Sequence, residues 1–269
     1  MFGAVLGPAV FSPLFAGKEL APDELVVPWL AAAAFQAAAL ALVLSVRPDP
    51  RRIAEIIAPP ARVDEPASAA PLAEILRRPG VIRAVLAAVA SFAVMVAVMN
   101  LAGYVVVDHH HHHQQSVFPI IGAHVLGMYA LVLVVGGLID RFGRRPPLAG
   151  GLALMGFSCI ALLWVESVWA TAFLLFGLGL GWNLSFVAAT AELVDLTAPG
   201  ERGKLIGFSD LLSGLTGAGL ALLGGFALDA LGVSALAIGA TVLVVAPTVW
   251  ILRGGPRRAE PQLATIFDR

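Results

Sequence analysis

Two pairs of side chains in this sequence have metal-ligand chemistry at helical spacing. Met95 and Met99 form the ends of MVAVM, and His124 and Met128 the ends of HVLGM. A spacing of four places each pair on one face of a helix. Thioethers and an imidazole suit a soft ion such as Cu(I) and suit Mg or Ca poorly. If the two helices are consecutive and antiparallel, all four groups could face one cavity. The same residue types also fill gaps in apolar cores, and His124 would serve proton coupling or an organic solute equally well. Asn100 adjoins Met99, and Asn183 lies in the glycine-rich GLGLGWNLS; both are isolated polar groups in apolar runs and are candidates for contact with a substrate. Asp210 is a weaker candidate, for proton transfer. The run His109–His113 could collect metal at an entrance, or could be a solvated loop.

A second constellation is charged. Residues 136–148 read GGLIDRFGRRPPL, a dense turn between two runs, 114–139 and 146–165, that contain no Asp, Glu, Lys or Arg. Carboxylates favour helix N-termini, and guanidinium groups favour paired carboxylates. Asp140 and Arg144 could therefore latch helix ends, with Glu192 and Asp195 as arginine partners. The plainer reading is that these arginines only fix topology.

The elements that must carry these residues are membrane helices. The 269 residues are 59% hydrophobic and only 13% charged, against about 25% charged in soluble domains, and the mean hydropathy is +0.88. A span needs about 20 apolar residues. Stretches of that kind occur near 1–17, 27–46, 82–107, 117–139, 146–165, 168–191, 205–228 and 230–252. Basic residues concentrate in 47–83, 140–145, 202–204 and the tail, and alternate with loops that carry only Lys18. The basic side, including the C-terminus, is expected to be cytoplasmic. Trp29, Trp164, Trp169 and Trp250 fall near predicted helix ends, as an aromatic belt does; Trp182 is mid-helix. The single cysteine, Cys159, lies in an apolar run and reads as packing. The segment PLAEILRR (71–78) has the pattern of a short amphipathic helix lying on the membrane surface. Glycines 214, 217, 219, 224 and 225 suggest close helix packing. No phosphate-binding loop is present. Neither enzymatic activity nor a cofactor is implied, and nucleic acid is not an expected partner.

The pattern Gly136-x-Leu138-x-Asp140-Arg141-x-Gly143-Arg144-Arg145 resembles the gating loop of the major facilitator superfamily of transporters. GAVLGP (3–8) is similar to a motif of the superfamily's antiporters, and PGERGKLIG (199–207) resembles a turn between its tenth and eleventh helices. The resemblance implies an all-α polytopic membrane protein with about eight transmembrane helices, the fifth to twelfth of twelve. Residues 1–46 would be a remnant of the N-terminal bundle, 47–81 a cytoplasmic central loop, 82–253 the C-terminal six-helix bundle and 254–269 a cytoplasmic tail. It implies a secondary transporter of the cytoplasmic membrane that works by alternating access on a small solute or ion. Met95, Met99, His124 and Met128 resemble the copper ligands proposed for the superfamily's copper-importing branch. A drug or metabolite:proton antiporter is the alternative. A truncated, non-transporting protein or a half-transporter subunit completed by a separate N-terminal half is the rival of another class.

Overall fold

A computed structural model describes residues 26–49, 70–109 and 111–253, with isolated positions at 7, 10, 13, 52 and 53. Most of the expected first span, and the tail, lie outside the described residues. Among the described residues, seven helical spans are long and apolar enough to cross a membrane. They match the sequence-based spans from the second onward, and the described residues contain no strand.

The elements are α1 (Val26–Ser45), α2 (Leu72–Arg77), α3 (Val81–Tyr104), α4 (Val117–Tyr129), α5 (Val132–Phe142), α6 (Arg145–Ala161), α7 (Val168–Asp195), α8 (Pro199–Leu231) and α9 (Val233–Arg253). Helix α1 buries none of its residues. The other long helices form one bundle around α7, which packs against α4, α6 and α3; α8 lies on α3, and α9 on α6.

The centre of α7 shows why its sequence is glycine-rich. A Cβ on Gly179 would strike the His124 carbonyl of α4, and one on Gly127 would strike the Phe176 carbonyl of α7. On another side, a Cβ on Gly181 would sit 2.6 Å from the Gly151 carbonyl of α6. Lipid gives no hydrophobic drive between membrane helices, so close backbone approach through small residues supplies the packing. Between α6, α7 and α3, Ser91 and Ser185 share a 2.6 Å hydrogen bond and lie against the Met155 sulfur. Cys159 is buried in the same core, in keeping with a packing role.

Several local expectations change. The span 117–142 is interrupted at Ala130 and Leu131, so it is two helices, α4 and α5, rather than one. The segment 199–207 is not a turn. Helix α8 begins at Pro199, where proline's missing N–H costs no intrahelical bond. The segment around α2 packs against the bundle. Ile75 is fully buried with Val81, Val85, Leu193 and Leu205, so its apolar side docks on the bundle. Of the α8 glycines, Gly217 packs on Val96 and Gly224 on Leu101, whereas 214, 219 and 225 have open space around them. The turn before α6 needs Gly143, whose φ of 79° is a left-handed value that residues with a Cβ avoid.

Candidate functional site

The hairpin between α5 and α6 ties itself to the end of α7. Arg144 donates through Nε to Asp195 Oδ2 at 3.0 Å and through Nη1 to Asp140 Oδ1 at 3.1 Å. The hydrogen bond to Asp195, followed by that to Asp140, raises the Arg144 pKa still further above neutrality. The three residues are fixed by their helices: Asp140 in the last turn of α5, Arg144 just before α6, and Asp195 at the last residue of α7. Arg145 and Glu192 line one small pocket with Arg83. Arg141 lies over the Phe142 ring. Gly136 and Leu138 belong to α5 and lead into the turn, and Gly136 has open space around it. The structure thus brings together Asp140, Arg144 and Asp195, and places Glu192 by other arginines.

A second latch at the same end was not foreseen. Arg78, after α2, grips Glu201 with two hydrogen bonds, Nη1 to Oε2 at 2.6 Å and Nη2 to Oε1 at 2.8 Å. Glu201 also accepts from the Ala198 backbone N–H, capping α8. Lys204 donates to the Ala70 carbonyl. The segment before α3 is therefore pinned to the start of α8. The available signal was one glutamate in a basic turn, opposite the arginine pair of the preceding loop.

The mid-membrane candidates are distributed differently from the expectation. Helices α3 and α4 each pack on α7 and share no extensive contact with each other. His124 is buried, and its Nδ1 bonds to the Leu175 carbonyl of α7 at 2.9 Å. A carbonyl only accepts, so Nδ1 carries the proton and Nε2 is left as an acceptor; Nε2 has no partner. Met95 is buried in the core, with Met99 and Met128 packed at its margin. The imidazole is thus held against the α7 backbone through Nδ1. Asn100 is exposed and donates to the Val96 carbonyl of its own helix. Asn183 is buried, and its amide Nδ2 lacks a partner among the described residues. Asp210 is exposed on α8. Among the described residues, no three His, Cys, Asp or Glu side chains gather where they could hold a metal ion; methionine sulfurs stand outside that set. In the histidine run, the His112 ring donates to the Glu166 carbonyl at 2.6 Å, while His111 and His113 are exposed.

What does converge at mid-membrane is aromatic. Trp182 and Phe186, one turn apart on α7, stack with rings 12° from parallel and centroids 5.3 Å apart. Tyr129 of α4 stands edge-on to Trp182 at 73°, and Phe92 of α3 is tilted 42° to Phe186. All four are half-buried. Trp182 was marked in the sequence by its mid-helix position, but its partners come from three helices and share no sequence pattern.

A bundle of membrane-length apolar helices with ion-paired clusters at one end is the build of a polytopic membrane protein. The chain belongs to the Major Facilitator Superfamily, whose family model matches residues 87–266. It is 41% identical over 145 residues to a riboflavin transporter of Brucella anthropi, covering 53% of this chain and 35% of that one. It is 35% identical over 263 residues to the uncharacterized MFS-type transporter YdeG of Bacillus subtilis, covering 94% of this chain and 60% of the relative. A second Bacillus subtilis MFS-type transporter, YddS, is 29% identical over 268 residues, 59% of its length. The chain thus spans less than two thirds of each of these relatives.

Proposed function

We propose that this chain forms the C-terminal bundle of a secondary transporter that moves a small organic solute across the cytoplasmic membrane by alternating access. The basic loops and the C-terminus are on the cytoplasmic side, as the distribution of arginine supports. On this reading α3 to α9 form one rocking body, and it works against a second bundle; the greater length of the relatives supports a second body. Arg144, Asp140 and Asp195 hold the cytoplasmic ends of α5, α6 and α7 together while the opposite side opens, with Arg141, Gly143 and Arg145 shaping the same turn.

The observation that carries the reading is the Asp140–Arg144–Asp195 cluster, formed between the hairpin and α7 within the region the family model matches. An organic cargo is favoured over Cu(I) because one nitrogen of the His124 ring is taken up by the Leu175 carbonyl of α7. The riboflavin transporter among the relatives supports the same choice and makes a flavin one of the solutes to try.

The test is accumulation of labelled solutes, riboflavin and Cu(I) among them, in cells producing the chain together with the second bundle it works against, with and without Arg144→Ala. The expected result is a change in one organic solute that Arg144→Ala abolishes. No change in any solute, or a change in copper alone, would overturn the proposal.

A further inference from the structure

Helices α8 and α9 are consecutive but diverge: α8 rests on α3, and α9 on α6 and α3. The gap between them is a long apolar groove with α3 at its floor. Two adjoining cavities make it up, and they share Val94, Leu220 and Leu243. The lining runs from Leu86 to Ala97 on α3 and from Ala235 to Trp250 on α9. At 1.5 Å per residue these stretches are about 16 Å and about 22 Å long. The acyl chains of one leaflet occupy half of a hydrocarbon core about 30 Å thick. One chain lying along the helices therefore fits the length of the groove. Ala90, Ala93 and Ala97 keep the floor low. Apart from Thr216 and the Trp250 indole, the described lining is apolar.

The end of the groove at Leu86 and Trp250 meets positive charge. Arg83 precedes Leu86 by one turn and Ala90 by two on α3, and Arg253 follows Trp250 by one turn and Ala246 by two on α9. These spacings of three and seven keep each arginine on the groove side of its helix. The two are near one another, because Arg83 and Ile251 line one small pocket. Among the described residues neither arginine makes an ion pair. Glu192 is the carboxylate of that pocket and Arg145 shares it, so the mouth keeps a net positive charge. Trp250 is exposed at the same level, and tryptophan favours the depth of the lipid headgroups. A soluble anion would leave the groove empty, and an uncharged alkyl chain would leave the arginines unpaired. An amphiphile with an anionic head and a long tail satisfies both.

We propose that the groove between α8 and α9 holds an acyl chain of one anionic phospholipid, with the lipid phosphate on Arg83 and Arg253. Arginines at a membrane surface attract the anionic lipids of the cytoplasmic leaflet, the side on which the basic loops are proposed to lie. The site is independent of which solute, if any, the chain moves.

The test is native mass spectrometry of the full chain released from nanodiscs of equal parts phosphatidylglycerol and phosphatidylcholine with identical acyl chains. One retained phosphatidylglycerol per chain is expected, in clear excess over phosphatidylcholine. Each arginine at an anionic lipid surface is worth about fivefold in binding. The Arg83→Gln, Arg253→Gln double variant should therefore lower the preference about tenfold or more. Arg77→Gln, an exposed arginine away from the groove, should leave it unchanged. Ala246→Phe fills the groove and should reduce retention of both lipids. If that variant does not fold, the double arginine variant decides, since it leaves the groove lining intact. No retained lipid, equal retention of the two lipids, or an unchanged preference in the double variant overturns the proposal. Lipid retained by a variant ending at Arg253 but not by the full chain would show that the tail fills the groove, which also overturns it.

Discussion

Replacing Gly181 by alanine isolates the contribution of backbone contact between α6 and α7. The new Cβ would lie 2.6 Å from the Gly151 carbonyl and 2.8 Å from Met155 Cγ. Ordinary carbon contacts begin near 3.5 Å, so the helices must part by about 0.9 Å or distort. Overpacking of that kind costs about 1–3 kcal/mol. Alanine also favours a helix over glycine by about 1 kcal/mol, which would blur a comparison with the parent alone. Gly219→Ala supplies the matched control, since Gly219 is also helical but a Cβ added there would meet nothing within 4 Å. The propensity gain cancels between the two variants, and the difference reports the contact. The assay is thermal unfolding in detergent, followed by loss of the monodisperse size-exclusion peak. Gly181→Ala should melt several degrees below Gly219→Ala. If the two melt together, close backbone approach does not limit the packing of α6 on α7, and the account of the glycine-rich centre is wrong.

Three further outcomes follow from the same geometry. Asp195→Asn should change the melting temperature little, because exposed ion pairs contribute about 0–1 kcal/mol, yet should reduce solute accumulation in cells if Arg144 acts as a latch. Ser185→Ala should destabilise by about 1 kcal/mol, and the Ser91→Ala, Ser185→Ala double variant by less than the sum of the singles, since each hydroxyl is the other's partner; a double-mutant cycle in the same melt measures this. Glu201→Gln should loosen the segment around α2 and speed tryptic cleavage at Arg77; an unchanged cleavage rate would show that the two-pronged bond to Arg78 does not pin it.

The spans were legible because each is an apolar run of membrane length bounded by charge, and the family was legible because the hairpin packs seven diagnostic residues into one local pattern. Asp195 could be named as an arginine partner because it sits at the same end of the bundle as the hairpin. Contacts between helices were harder. That His124 turns into α7 depends on the rotation of α4, which the Gly127 and Gly179 notches set and which a spacing of four does not reveal. The start of α8 was misjudged because proline, glycine and charge read as a turn, whereas proline at the first helical position and the Glu201 cap make a helix. The break at Ala130 and Leu131 has no proline or glycine to announce it. The aromatic cluster was hidden for the same reason as the Arg78–Glu201 bond: its members meet only when α3, α4 and α7 are assembled.

The glycine notches on two sides of α7 have a mechanical consequence. Where backbone rests on backbone, no side chain can change rotamer to absorb a shift, so α4, α6 and α7 are coupled like a laminate and tilt as one. Compliance must then reside elsewhere. It is available along α8, where glycines 214, 219 and 225 face open space, and at the interruption between α4 and α5. The bundle therefore divides into a stiff spine that preserves the geometry of Trp182 and Phe186 and a pliable flank that takes up the bending.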